Sequence, residues 1–221
     1  MKRFPDAHKP GYAAYSKLSL AIYDTLVLGF SNRFIWRCPS EFLTALYNRN
    51  LSADHLDVGV GTGFFLDKAT FPVSSPRITL MDPNEACLEK AASRIARYEP
   101  NKIRADALVP WLRQLGSFRS IGINYLLHCL PGTMTEKSVL FDHLKPHLAE
   151  DGTLFGATIL QGNVSRTAFA RKLMRIYNGK GIFSNENDTR ENLELELSRR
   201  FKNVDIELMG CVALFSANEP I

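Results

Sequence analysis

His55-Leu56-Asp57-Val58-Gly59-Val60-Gly61-Thr62-Gly63 is the stretch that decides the fold. Glycine recurs at every second position after an acid, and short apolar residues lead into the turn. Glycine reaches positive φ without steric cost and lets another molecule approach the backbone closely. A strand that enters such a turn and continues as a helix places free backbone N–H groups at a helix start, where phosphate-bearing and nucleotide-like ligands bind. The spacing is Gly-x-Gly-x-Gly, one residue tighter than the Gly-x-Gly-x-x-Gly of dinucleotide-binding turns.

Outward from this motif the chain alternates between two periodicities. Strands are expected over 56–59, 77–81, 102–105, 120–125 and 153–160, with helices over 62–69, 84–97, 107–114 and 133–148 between them. Thr133 and Glu136 form a capping box at the start of the last of these helices. Helices over 164–177 and 189–200 follow. Two closing strands, 204–209 and 212–216, meet at Gly210 with no room for a helix, so they form a hairpin and the last strand is antiparallel. Strands alternating with helices imply a mostly parallel sheet covered on both faces. Before the motif, residues 12–29 carry a helical stripe of Leu18, Ile22 and Leu26, and Pro39 opens a helix that runs to about Tyr47. The expected division is an N-terminal helical lid or substrate cap over 1–51 and a compact α/β domain over 52–221.

With Asp57 in front, the glycine motif resembles the first motif of class I S-adenosylmethionine-dependent methyltransferases. The hairpin ending is similar to that family's Rossmann-like seven-stranded sheet. The resemblance covers about residues 52–217. It implies S-adenosyl-L-methionine as cofactor and S-adenosyl-L-homocysteine as product. It places Asp57 near the methionine ammonium, with Gly59, Gly61 and Gly63 making room for the cofactor. Asp82 stands 19 residues after Gly63, and the resemblance gives it the two ribose hydroxyls. A helix cap at Asp82, followed by Pro83, is the competing reading. Asp106 and Ala107 are implied at the adenine, and Pro83 and Asn84 along the same cleft.

Open α/β sheets bind ligands beyond the carboxyl ends of their strands. Asn124, Tyr125 and His128, at the end of the fourth strand, are therefore expected to face the methyl group. His128 is the candidate base, since an imidazole near neutral pKa can take the acceptor's proton; a packed, hydrogen-bonded histidine is the alternative. Tyr125 joins it as a catalytic candidate. Tyr15, Tyr23 and Trp36 are candidates for a substrate-pocket wall, as against an ordinary helix stripe. Phe183, in the segment 177–185, belongs to a second lid. His143 and His147 share the i, i+4 spacing of a metal pair, but no Cys or acid pattern completes a site. They are expected to be exposed, and no metal is expected.

The function expected is transfer of a methyl group to an oxygen or nitrogen of an apolar metabolite, of the kind made in secondary metabolism. The same fold and cofactor can serve a ring closure or elimination instead, because fold does not fix function. A nicotinamide-dependent oxidoreductase is a more distant alternative, disfavoured by the glycine spacing. A non-catalytic partner that keeps the cofactor fold is disfavoured by an intact motif.

The 27 basic and 23 acidic residues leave a net charge of +4, scattered along the chain, which speaks against a nucleic-acid partner. The four cysteines, Cys38, Cys87, Cys129 and Cys211, follow no metal spacing and read as free thiols of a reducing, cytoplasmic compartment. The most apolar run, 18–30, is too short for a membrane span. A small-molecule substrate is the expected partner, and a second copy in a homodimer is left open.

Overall fold

The structure, a computed structural model, describes residues 24–110 and 115–221. Its centre is one sheet built from β1 (Asp54–Val58), β2 (Arg77–Met81), β3 (Asn101–Ile103), β4 (Phe118–Gly122), β5 (Leu148–Ile159), β6 (Phe201–Met209) and β7 (Val212–Pro220). The strand order is β3-β2-β1-β4-β5-β7-β6. Strands β3 to β5 pair in parallel, and β7 runs antiparallel to both β5 and β6.

The two-residue period of the strands splits the core into two layers. Leu154, Ala213, Phe215, Leu56 and Val58 lie in one apolar cluster, and Phe155, Ala157, Val212 and Leu214 lie in the other. The first layer is closed by α4 (Met134–Lys137), α5 (Val139–Leu144) and α7 (Arg190–Ser198) through Met134, Leu140, Phe141, Leu144, Leu193 and Leu197. The second is closed by α1 (Ser40–Asn50), α2 (Phe64–Lys68), α3 (Glu85–Arg94) and α6 (Ala168–Gly179) through Leu43, Leu66, Leu88 and Met174. Each fully buried leucine stabilises the fold by roughly 2 kcal/mol.

Several elements differ from expectation for local reasons. The helix expected over 133–148 is divided. The capping box of Thr133 and Glu136 opens α4 as expected, but Ser138 ends it, and Pro146 sits in a 3₁₀ turn before β5. The stripe expected over 12–29 falls largely outside the described residues. From Asp24 to Ile35 the backbone is π-helical, and the segment runs six residues past the expected end. The helix expected over 107–114 has only 107–110 described, and these form a turn.

The segment from Ile35 to β1 is built into the domain. Ile35, Trp36, Leu43, Leu46 and Tyr47 share the core of β5 and β7. The hairpin between β6 and β7 grips this segment: Cys211 N–H donates to the Trp36 carbonyl at 3.0 Å. Gly210 has φ +62°, and a Cβ there would lie 2.1 Å from the Trp36 oxygen. Only glycine allows the hairpin to close against that backbone. Among the described residues no helix is long and apolar enough to cross a membrane.

Candidate active site

Chain order reverses direction in the sheet between β1 and β4. At such a switch point the loops after the strands diverge and leave a crevice at their carboxyl ends. An open cleft of about 1130 Å³, solvent-open space included, lies there. Asp57, Gly59, Gly61 and Gly63 line it, as do Asp82, Pro83, Asp106, Ala107, Asn124 and Tyr125.

The three glycines do different work. All have positive φ, between 52° and 74°. A Cβ on Gly63 would lie 2.9 Å from the Ala91 backbone, so Gly63 lets α2 pack against α3. A Cβ on Gly59 would meet the Leu126 side chain at 2.9 Å. A Cβ on Gly61 would meet nothing within 4 Å. Gly61 therefore borders open cleft, which is the space a ligand would fill.

Asp82 is 6% exposed. Its carboxylate accepts from the backbone N–H of Asn84 at 2.8 Å and from the N–H groups of Gly61 and Val60, and so ties the glycine turn to β2. Burial pushes its pKa up to about 7, opposed by those N–H donors and assisted by the charge of Asp57. Helix capping is done elsewhere: Asn84 caps α3 by accepting from Ala86 N–H. Asn84, expected along the cleft, is thus spent on the helix and is not among the lining residues. Asp106 makes a similar local turn, with Oδ1 accepting from Leu108 N–H at 2.9 Å.

Asn124 is buried at the cleft, and its Oδ1 has no hydrogen-bond partner among the described residues. A buried acceptor left open costs free energy unless something donates to it. It suits an ammonium or hydroxyl donor of a bound ligand. Tyr125 follows at φ +56°, a strained value for a tyrosine. Its hydroxyl donates to Asn32 Oδ1 at 2.9 Å, which ties the cleft wall to the N-terminal segment.

His128 is a correction to the expected site. The chain turns sharply at Tyr125 and carries His128 inward, in a 3₁₀ turn, where it is 3% exposed and does not line the cleft. Its Nδ1 accepts the Ile159 N–H at 3.2 Å, so the ring proton is on Nε2. Burial and then the Lys137 cation pull its pKa down to about 3. The ring packs edge-on to Phe183, 4.6 Å between centroids. Trp36 and Phe183 are corrections for the same reason. Phe183 is sandwiched by His128, Tyr177 and Trp36, so both rings fill core rather than form pocket wall. Tyr15 and Tyr23 lie outside the described residues. His143 and His147 are half-buried rather than exposed, with Nδ1 against the carbonyls of Ala107 and Gly116 at 3.0 and 3.1 Å.

Some lining residues had no signal in the sequence. Tyr47 reaches the cleft from α1, and Leu126, Leu130 and Pro131 form an apolar wall. Cys87 and Cys129 also line it, and burial pushes both thiols up to about 12, so neither is a thiolate nucleophile near neutral pH. Among the described residues no His, Lys or Arg lines the cleft.

No protein-family model matches the chain. It is 37% identical over 207 residues to the demethylluteothin O-methyltransferase of Streptomyces thioluteus, covering 94% of this chain and 90% of that protein. It is 46% identical over 194 residues to the uncharacterized protein YbcY of Escherichia coli (strain K12), covering 86% and 98%. The solved N-methyltransferase NodS from Bradyrhizobium japonicum WM9, in complex with S-adenosyl-L-homocysteine, superposes with a TM-score of 0.62 at 15% identity, over 93% and 98% of the two chains. The chain belongs to the class I S-adenosylmethionine-dependent methyltransferase family.

Proposed function

We propose that the cleft holds S-adenosyl-L-methionine and that the enzyme transfers its methyl group to an oxygen or nitrogen of an apolar small molecule. The observation that carries this is the convergence, at one cleft, of the open space beside Gly61, the buried carboxylate of Asp82 and the unpartnered Oδ1 of Asn124. In this reading Asp82 accepts from the ribose hydroxyls, and Asp106 and Ala107 meet the adenine. Asp57 and Asn124 receive the ammonium, and Pro83 lines the same wall. The bound cofactor supplies an activated methyl on a sulfonium.

What the chain contributes is positioning and exclusion of water. The apolar wall of Leu126, Leu130 and Pro131 suits an apolar substrate. Among the described residues no imidazole or amine lines the cleft, and an acceptor that is already nucleophilic, or acidic enough to ionise on its own, fits that lining best. Tyr125, bonded to Asn32, then shapes the wall rather than moving a proton. The name of the Streptomyces relative supports transfer to oxygen over ring closure or hydride transfer. We further propose that the N-terminal segment covers the cleft, its described end being anchored through Asn32 and Trp36. The enzyme works in the reducing cytoplasm, which its four free cysteines suit. A homodimer paired through the exposed Phe30 and Phe34 fits the same reading.

Calorimetry with S-adenosyl-L-homocysteine, and with NAD as control, tests the cofactor. Incubation with methyl-labelled cofactor and a panel of apolar hydroxy and amino compounds tests the reaction. Binding of NAD without binding of the adenosyl compound would overturn the reading.

A further inference from the structure

Beneath the cleft, a file of polar groups runs through the core on the β1 face that α1 covers. His55 and Asp57 lie two residues apart in β1, so both side chains point to that face. Both are buried, His55 fully. Asp57 Oδ2 receives two donors. The Tyr47 hydroxyl donates at 2.9 Å, and His55 Nε2 lies at 3.4 Å. His55 Nδ1 lies 2.9 Å from the Ser120 hydroxyl. Ser120 Oγ in turn accepts the Ser52 N–H at 3.0 Å.

A carboxylate only accepts, so His55 meets Asp57 with a proton on Nε2. The Ser120 hydroxyl lies between His55 Nδ1 and the Ser52 hydroxyl, 2.9 Å from each, and holds the imidazole from the far side. Burial, and then the charge of Asp57, raise the Tyr47 pKa well above its ordinary value, which keeps the phenol a donor.

The rings are fixed as well. Phe155 meets Tyr47 edge-on at 5.1 Å and stacks on His55 at 5.8 Å. Phe65 stacks on the other side of Tyr47 at 5.6 Å. On the neighbouring strand Gly122 is in register with Asp57. A Cβ there would lie 3.2 Å from both Asp57 Oδ2 and His55 Cε1. The sheet therefore leaves out a side chain at the one place where this pair needs space.

We infer that Tyr47 and His55 are positioning residues: by holding Oδ2 of Asp57 they set the carboxylate so that its second oxygen meets the amino-acid end of the cofactor. The inference rests on the cofactor reading above. Their contribution is orientation. A carboxylate held in one rotamer loses less entropy on binding, and its charge-assisted bond to an ammonium keeps good geometry.

The test compares two ligands. S-adenosyl-L-homocysteine has the amino-acid end, and 5′-methylthioadenosine has the same nucleoside and a sulfur but lacks it. Dissociation constants are measured by calorimetry for the wild type, Tyr47→Phe and Ser120→Ala. Tyr47→Phe keeps the ring and its packing. Ser120→Ala removes the hydroxyl that holds His55 from the side away from the cleft. Both variants are checked for an unchanged circular-dichroism spectrum.

Tyr47→Phe is expected to weaken S-adenosyl-L-homocysteine by roughly 3- to 30-fold, less than the roughly 10- to 150-fold for a directly lost hydrogen bond to a charged group, because Tyr47 acts through Asp57. 5′-Methylthioadenosine should change by less than about 2-fold. Ser120→Ala should shift in the same direction by a smaller factor. In an Asp57→Ala background, Tyr47→Phe should add nothing, because the group it positions is gone. Equal weakening of both ligands, or full additivity in the Asp57→Ala background, would mean that Tyr47 only supports the fold and would overturn the inference. A wild type that binds 5′-methylthioadenosine but not S-adenosyl-L-homocysteine would overturn it too. If the wild type bound neither, the cofactor reading itself would fall.

Discussion

Asp82→Asn should stabilise the ligand-free enzyme at neutral pH while it weakens cofactor binding. Burial lifts the Asp82 pKa from 3.8 to about 7. In the unfolded chain the carboxyl ionises near its ordinary value, so between about pH 4 and 7 the folded state binds the extra proton. Stability then falls as pH rises through that window, by about 1.4 kcal/mol per unit, and levels off above pH 7. The whole interval amounts to about 4 kcal/mol. The asparagine variant keeps an acceptor for the N–H groups of Asn84, Gly61 and Val60 and has no charge to bury. Its stability relative to wild type should therefore grow by roughly 2–3 kcal/mol from pH 5 to pH 7 and stay constant beyond. Urea denaturation at pH 5, 6, 7 and 8 measures this, and taking the difference between the two proteins cancels the other titrating groups. Cofactor affinity runs the opposite way. In the proposed contact ribose hydroxyls donate to the ionised carboxylate, so the wild-type Kd for S-adenosyl-L-homocysteine should rise up to about tenfold from pH 7 to pH 6. In Asp82→Asn the Kd should be higher, by roughly 10-fold or more, and flat over the same range. If the two stability curves run parallel from pH 5 to 8, Asp82 does not titrate there and the reasoning fails.

Gly61→Val should abolish cofactor binding and cost roughly 1–2 kcal/mol of stability, from the positive φ alone, because a Cβ there clashes with nothing in the protein; normal binding by the folded variant would place the ligand elsewhere. His128→Ala should lower stability by about 2–4 kcal/mol, since it leaves the Ile159 N–H unsatisfied and a cavity beside Phe183. The pH profile of kcat should keep its shape, and loss of its acid limb would restore His128 as the base. Lys137 and Asp188 form a buried ion pair at 2.7 Å beneath the same turn. Lys137→Met should cost about 3–5 kcal/mol by thermal denaturation, and Lys137→Met with Asp188→Leu should recover much of it. A single variant as stable as wild type would show that the pair is not desolvated in solution.

The sequence by itself determined the layered α/β architecture, because its periodicities are local. The continuous apolar run of 153–160, helical stripes between strands, the Thr133 capping box and the closing hairpin at Gly210 all act within a few residues. The glycine motif and the acids ending the strands were legible for the same reason, since a strand's carboxyl end follows from its register. His55 beside Asp57 was legible in principle too, as residues i and i+2 of a strand share a face. Tertiary structure alone decided what each candidate contacts. Asn84, not Asp82, caps α3, which leaves Asp82 at the cleft. After the positive φ of Tyr125 the chain carries His128, three residues on, into the core and away from the cleft. Tyr47, ten residues before Asp57 on another element, came to hold its carboxylate. Such choices depend on which side chains meet across the fold, and a one-dimensional pattern carries no term for contacts between elements.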